Sequence, residues 1–288
     1  MARLQEEQPD EQVEASAALA RLGRSIREKE AAKVYQFPFW PEPERGVPNE
    51  LIRSALFAAV HSKSRRNVRA EKIAAQGPYT IEFTGLQLTQ AHLDVFEGVM
   101  HIARGTHEGN QVRFTAHRLL KLIGRHTGGD EHERLYGMLQ ELTATSVAIR
   151  KDDDQMFWGS LLPKGAGLGP LNRREYVVEV SRELIKLFER GFSRIEWEQR
   201  RALKQKPLAC WLQLYYSSHA RPFAVKVQFL HEQSGGNTKS LRAFRQNLKA
   251  ALDEVQAVGA IVGWCIDGDD LVHVERVPSA SQQLLPFK

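Results

Sequence analysis

Apolar residues recur at helical spacing in several separate runs of this chain and alternate with polar ones in others. From Glu50 to Ala59, Leu51, Ala55 and Leu56 share one side, and Asn49 can cap the helix this predicts. Tyr79 to Phe83 alternates Tyr, Ile and Phe with polar residues, the pattern of a half-buried strand. Leu93, Phe96, Val99 and Met100 predict a helix over 88–102 with Thr89 as cap. Val112 to Phe114 reads as a short strand leading into Thr115, the cap of a helix holding Leu119, Leu120 and Ile123. Gly128-Gly129 breaks the chain, and Asp130 caps a third helix with the stripe Leu135, Met138, Leu139 and Leu142. Strands over 146–151 and 155–162 follow, separated by the acidic turn Asp152-Asp153-Asp154.

The same order then returns. Tyr176 to Val180 is a strand, and Ser181 caps a helix over 182–188. A helix over 203–218 buries Leu208, Trp211, Leu212 and Tyr215; a short strand (223–227) and a short helix (228–233) come next. After Gly235-Gly236, Thr238 caps a long helix over 239–258 that Gly259 ends, and strands 260–266 and 271–276 close a hairpin across Asp267-Gly268-Asp269. Helices, a Gly-Gly turn, a last helix and a hairpin are the elements of a winged helix. The expected fold is therefore α+β, with two tandem winged-helix domains over 48–170 and 171–277. Residues 1–47 precede them as a mobile arm, with a charged helix over 10–33 too weakly apolar to stand alone, and a linker marked by Pro38, Pro41, Pro43 and Pro48. Residues 278–288 read as a loose tail.

Composition narrows the function classes. The 288 residues carry a net charge of +5, and no apolar run approaches the ~20 residues of a membrane span. The first 20 residues lack an export-signal pattern, and Cys210 and Cys265 are the two cysteines. A disulfide framework and a cysteine-held zinc are unsupported, so a reduced, cytoplasmic protein is expected. Residues 1–30 hold five Lys/Arg against seven Asp/Glu, leaving +7 on residues 31–288. That excess gathers over 63–72, 200–206 and 239–249, with one acid in the first cluster and none in the others. Such clusters favour a polyanion.

The helix from Lys239 is the strongest candidate reader of DNA. Leu241, Phe244, Leu248, Leu252 and Val255 fall in one arc, and Lys239, Arg242, Arg245, Gln246 and Lys249 in the next, free of acids over three turns. Arg pairs with guanine, Gln with adenine, and Lys suits phosphates. In the first domain, His132 and Arg134 near the start of the third helix, and Arg65 and Arg66 of the first cluster, are further candidate contacts. Gly137, outward on that helix, allows close approach of a backbone or relieves crowding. Enzyme signatures are missing. The glycine-rich stretch 164–170 lacks a Gly-Lys-Ser/Thr ending and opens no helix, so it reads as a connector. His117, His126 and His132 form no H-E-x-x-H pattern, and no nucleophile elbow occurs. No metal, no cofactor and no catalysis are expected.

Several segments taken in order resemble the TrfA family of plasmid replication initiators. They are Pro48-Asn49, Arg53 to Phe57, Tyr79 to Leu88, Leu142 to Thr145, Phe192 to Trp197, Tyr216 to His219 and Asp269 to His273, spread collinearly over roughly 45–276. The resemblance implies a cytoplasmic protein that binds direct repeats (iterons) in a plasmid origin through two winged helices. It further implies opening of an adjacent A·T-rich region, recruitment of the host helicase, its loader and the sliding clamp, single-stranded DNA binding, and dimers off DNA. Family members can carry a clamp-binding pentapeptide ahead of the first domain; here the corresponding place reads Ala31 to Tyr35, without its glutamine. Gln36, Phe37, Phe39 and Trp40 keep the order of residue types five positions later. They either bind the clamp, or Phe37, Phe39 and Trp40 dock the linker onto the domain. Rival readings are a tandem winged-helix repressor and, from another class, a DNA-nicking enzyme.

Overall fold

The computed structural model describes residues 37–105, 111–152 and 154–283; the arm helix expected over 10–33, Gln36, Asp153 and the last five residues lie outside them. Where the prolines predict a bare linker, Glu44–Pro48 forms a strand, β1, antiparallel to Phe192–Glu196 over its whole length. Proline is tolerated there because Pro48 is the strand's last residue, and the Pro43 carbonyl accepts from the Trp197 amide at 2.9 Å. The helix expected over 50–59 stops after one turn: α1 spans Asn49–Ile52 with Pro48, not Asn49, at its N-cap. The Asn49 side chain instead accepts from Ser193 Oγ at 2.7 Å. The chain then extends through β2 (Phe57–Ala58), β3 (Asn67–Ile73), β4 (Tyr79–Leu86) and β5 (Leu88–Thr89). Strand β3 is hidden in the sequence because Arg69, Glu71 and Lys72 all face solvent. A bulge at Ala70, whose φ is +47°, also breaks its alternation.

Helix α2 (Gln90–Ala103) carries the expected cap at Thr89, reciprocated by His92. β6 (Gln111–Thr115) leads into α3 (Ala116–Leu122), where Thr115 Oγ1 accepts from the Arg118 amide. α4 (Gly129–Ala144) starts one residue before the expected Asp130 cap, with Gly128 at the N-cap. β7 (Ser146–Lys151) and β8 (Asp154–Gly159) form the expected hairpin, completing a sheet in the order β3-β4-β7-β8. The stretch expected to be a connector is a strand, β9 (Lys164–Leu168). It pairs with β10 (Glu175–Glu179), which pairs in turn with β6, so Tyr176 opposes Phe114 and Val178 opposes Val112. The sheet thus crosses the 170/171 boundary that the sequence suggests. α5 (Arg182–Arg190), capped by Ser181, packs against β1 and β8. β11 (Phe192–Glu196) and α6 (Trp197–Ala202) follow, neither of them expected.

A second core gathers around α7 (Pro207–Ser217), β12 (Val225–Lys226), α8 (Val227–Gln233) and α9 (Leu241–Ala257). The hairpin of β13 (Gly263–Ile266) and β14 (Leu271–Glu275) completes it, and a last turn of helix, α10, spans Ala280–Gln283. Trp211, Leu212 and Tyr215 of α7 bury against Phe244, Leu248, Leu252 and Val255 of α9, as the periodicity predicts. The cap of α9 is Ser240, whose Oγ accepts from the Ala243 amide, so Thr238 and Lys239 precede the helix. The architecture is mixed α+β. Among the described residues no helix is long and apolar enough to cross a membrane.

Among the polar contacts that join the cores, two sets bear on where α9 sits. Arg200, 2% exposed, donates to Asp94 (2.8 Å) and to the side chain and carbonyl of Gln90 on α2, and to the Cys210 carbonyl on α7. Beside it Glu97 is wholly buried; burial pushes its carboxyl well above the ordinary value, against the pull of Arg45 and Arg200, and favours the protonated acid. The second set holds the Gly-Gly turn before α9. The Ala59 amide donates to the Ser234 carbonyl (2.7 Å), Gln87 to the Gly235 carbonyl (3.1 Å), and Asn237 to the Ser64 carbonyl. Gly235 has φ +62°, and a Cβ there would lie 3.0 Å from that of Ala58 and 3.1 Å from that of Ala55.

Removing Arg200 leaves partly buried Asp94, the Gln90 side-chain oxygen and two carbonyls without their donor. We expect Arg200→Ala to cost about 3–5 kcal/mol in urea unfolding. Arg201→Ala, which breaks only the exposed pair with Glu198, should cost less than about 1 kcal/mol. Equal, small losses would show that Arg200 does not hold the joint.

Candidate nucleic-acid interface

On α9 the apolar arc faces the second core and sets the direction of its neighbours. Arg242, Gln246 and Lys249, at i, i+4 and i+7, are all exposed, and their side chains form no ion pair or hydrogen bond with the described residues. No acid occurs between Lys239 and Leu252. Lys239 is exposed too, in the turn ahead of the helix. Arg245 differs: it is half-buried and ion-paired with Asp270 in the β13–β14 turn. Residues 25 apart leave no local signal of such a pair, and the sequence alone did not disclose it.

The first block presents its candidates differently. His132, expected to face outward, is 2% exposed, and neither ring nitrogen has a hydrogen-bond partner among the described residues. The reason is spacing: 132, 135, 139 and 142 lie on one side of α4, so His132 continues the apolar stripe inward. It is not positioned to touch DNA. Arg134 is exposed but paired with Glu131 at 2.7 Å, which also holds Arg125 at 3.1 Å. The outward face of α4 instead offers Tyr136, Gly137 and Gln140. The Tyr136 ring stacks on Tyr176 with the Arg174 guanidinium 5.1 Å from its centroid, and Gln140 donates to the Tyr136 hydroxyl. A Cβ on Gly137 would meet nothing within 4 Å, so no crowding inside the chain calls for glycine there.

Five of the nine cations in the other two basic clusters are engaged within the protein. Arg65 forks onto Glu141 at 2.5 and 3.2 Å, with its side chain 16% exposed. His92 meets the same carboxylate at 2.5 Å; its Nδ1 accepts from the Thr89 amide, so the ring proton is on Nε2, facing Glu141. Arg66 is matched twice by Glu71 at 2.6 Å, although half exposed. Lys63, and Arg69 and Lys72 on β3, remain open to solvent. In the cluster over 200–206, Arg200 is buried, Arg201 pairs with Glu198 and Lys206 with Glu254 (3.0 Å), leaving Lys204 exposed.

The linker aromatics divide. Trp40 is wholly buried, stacked on Phe188 at 5.7 Å, and its indole N–H donates to His101 Nδ1 at 3.1 Å. His101 Nε2 faces Glu42 at 2.9 Å, and burial holds the imidazole down at about 4, neutral near pH 7. Phe37 packs edge-on against Phe188 at 5.2 Å. Phe37 and Trp40 are therefore docking residues, a correction to the clamp-binding expectation; among the described members of that set, Phe39, 77% exposed, is the one open to a partner, and Gln36 lies outside the described residues. Among the described residues no cluster of three or more His, Cys, Asp or Glu could hold a metal ion.

Three comparisons bear on this arrangement. A family model described as TrfA protein matches residues 5–276. The plasmid replication initiator protein TrfA of Escherichia coli is 26% identical over 268 residues, which is 91% of this chain and 69% of that protein. The crystal structure of RctB domains 2-3 is similar in fold, with a TM-score of 0.52 at 15% identity, covering 82% of this chain and 99% of that one.

The Arg65–Glu141–His92 network makes a pH-dependent contribution. The hydrogen bond from His92, with that from Arg65 behind it, outweighs burial and holds Glu141 at about 2 against an ordinary 4.5. A depressed acid stabilises the fold fully above its unfolded value and loses that contribution as pH falls through its folded one. The gap in urea midpoint between wild type and Glu141→Gln should be widest above about pH 4.5 and close towards pH 2. A gap that stays constant from pH 6 to 2 would remove the network from the account.

Proposed function

Since the chain belongs to the TrfA family and is a plasmid replication initiator, we propose that it binds direct repeats of a plasmid origin through two winged-helix domains. The observation that carries this is the open stripe Arg242–Gln246–Lys249 on α9. Its cations form no ion pair with the described residues, whereas five of the nine cations in the other two clusters are paired with acids of the protein. Helices α7 and α8, the Gly-Gly turn, α9 and the β13–β14 hairpin supply the elements of the second winged helix, with α9 in the major groove and the hairpin along the backbone. In the first block, α2, α3, α4 and the β7–β8 hairpin play the same parts. There Tyr136, Gly137 and Gln140 face the groove, and Arg134 exchanges Glu131 for a phosphate. Gly137 suits this reading, because a bare backbone there lets DNA approach closely.

Binding energy alone does the work in this proposal. Two domains gripping successive faces of the duplex bend it, and bending lowers the local cost of unpairing beside the repeats. The free thiols of Cys210 and Cys265 are in keeping with a cytoplasmic protein. Contacts to single-stranded DNA, to the helicase and its loader, and self-association off DNA belong to the same proposal through the family relationship. Exposed Phe39 is the residue we assign to any clamp contact made by the linker. Supercoiled origin plasmid should stay uncut on incubation with the protein and Mg2+ or Mn2+; nicking would overturn the non-enzymatic reading.

Substitutions on α9 test the interface itself. Arg242→Ala should cost roughly 1–3 kcal/mol of binding to an origin repeat and relax preference at one base pair. Lys249→Ala should weaken repeat and shuffled duplexes about equally and reduce the salt slope by about one counterion. Neither exposed change should move thermal stability by more than about 0.5 kcal/mol. The measurement is anisotropy titration against both duplexes at several salt concentrations. If Arg242→Ala keeps full discrimination, α9 does not read bases at that residue.

A further inference from the structure

Among the cations of the α9 face, Arg245 alone is tied down, and what ties it is itself anchored. Asp270 has a left-handed backbone, φ +65°, unusual for a residue with a side chain. Its amide donates to the Asp267 carbonyl (3.2 Å), and its own carbonyl accepts from the Val227 amide at the start of α8 (3.0 Å). Asp267 closes the turn from the other side. One of its carboxylate oxygens accepts from the amides of Asp269 (3.0 Å) and Leu271 (2.9 Å), and the other meets His273 at 2.8 Å. Lys226 donates to the Asp269 carbonyl at 2.5 Å. A turn held at this many points presents the Asp270 carboxylate in one place.

We infer that Asp270 is a positioning residue for sequence reading: it fixes the Arg245 guanidinium beside the α9 face so that its free donors meet a base edge in a set orientation. The inference rests on the reading of α9 given above. Arg245 uses Nη2 on Asp270, and its buried Nε has no hydrogen-bond partner among the described residues. A guanidinium has five N–H donors in a planar fork, so the bond to the carboxylate at Nη2 together with the buried Nε end restrains the plane and leaves the Nη1 side for a ligand. Both side chains keep about a third of their surface exposed, 38% for Arg245 and 30% for Asp270, so the pair is not sealed in the core. A long arginine loses much rotamer freedom on binding; one already held loses less, and its hydrogen bonds become selective for one base. A carboxylate beside DNA also repels phosphate, so the same residue lowers affinity for sequences that give Arg245 no partner.

The test uses the full chain, with a duplex selected by the wild type from a random-sequence pool and a shuffled duplex of equal composition. Wild type, Arg245→Ala, Asp270→Asn and the double variant are titrated against both, and selections are repeated for each variant and sequenced. We expect Asp270→Asn to lower discrimination at least fivefold, to relax the same base position that Arg245→Ala relaxes, and to bind the shuffled duplex as tightly as wild type or tighter. The double variant should lose no more than Arg245→Ala alone. If Asp270→Asn melts below the assay temperature, Asp270→Glu, which keeps the charge and shifts it by one methylene, makes the same test. Discrimination kept in Asp270→Asn but lost in Arg245→Ala overturns the positioning role and leaves α9 as the reader. Discrimination kept in both overturns the role of Arg245 as well. Equal tightening on both duplexes makes Asp270 a simple electrostatic brake and overturns positioning.

Discussion

A guanidinium out of water must find a donor-for-acceptor match for nearly all of its N–H groups, and Arg200 finds its match only where three helices meet. Asp94 and Gln90 come from α2, the Cys210 carbonyl from α7, and Arg200 itself from α6. The requirement fixes the helices more tightly than apolar packing would, because a Leu can slide against a Leu while a buried charge cannot leave its partners. The placement of α7 sets that of α9, which packs on it, and thereby the direction in which Arg242, Gln246 and Lys249 point. The candidate interface is thus downstream of a contact buried well away from it.

Charge in this molecule divides into cations that are matched and cations that are left open. Arg65, Arg66, Arg125, Arg134, Arg200 and Arg201 all have acidic partners within 3.1 Å. Arg242, Lys249, Lys239, Arg69, Lys72 and Lys204 are exposed. A polyanion gains most from the second kind, since meeting the first means breaking an existing pair. Counting basic residues therefore overstates the field that the clusters over 63–72 and 200–206 offer to DNA.

Legibility in the sequence followed the range of the forces involved. Helices α2, α4 and α9 each carry an apolar stripe over three turns or more, so period and caps located them within a few residues. The hairpins β7–β8 and β13–β14 declared themselves through alternation and acidic turns. Strands β1, β9 and β11 did not: the partners of β1 and β11 lie far along the chain, while Pro48 of β1, with Pro43 just before the strand, and the glycines of β9 look like linker. α1 failed for a related reason: Leu51, Ala55 and Leu56 are all buried, but Leu51 alone of the three lies in the single turn of helix, and Ala55 and Leu56 follow it in bends. At the site, the open stripe of α9 was readable from spacing, and the burial of His132 was readable too, had its place in the 132–135–139–142 series been followed. The pairing of Arg65 with Glu141 and of Arg245 with Asp270 was not, since each joins residues that only the tertiary fold brings together.

The turn at Gly235 carries a consequence for how such a protein can change. Its left-handed backbone and the closeness of Ala55 and Ala58 leave no room for a side chain, and its neighbours are hydrogen-bonded to the first block. The seam between the two halves works as a caliper with a locked jaw. On the proposed reading, new target sequences are open to it through substitutions at 242, 246 and 249, whose side chains form no hydrogen bond or ion pair with the described residues. A new spacing between the two contacted stretches is not, because altering it means rebuilding the seam. If the chain reads repeats as proposed, lineages built on this joint should therefore diverge in the letters of those repeats sooner than in the length of them.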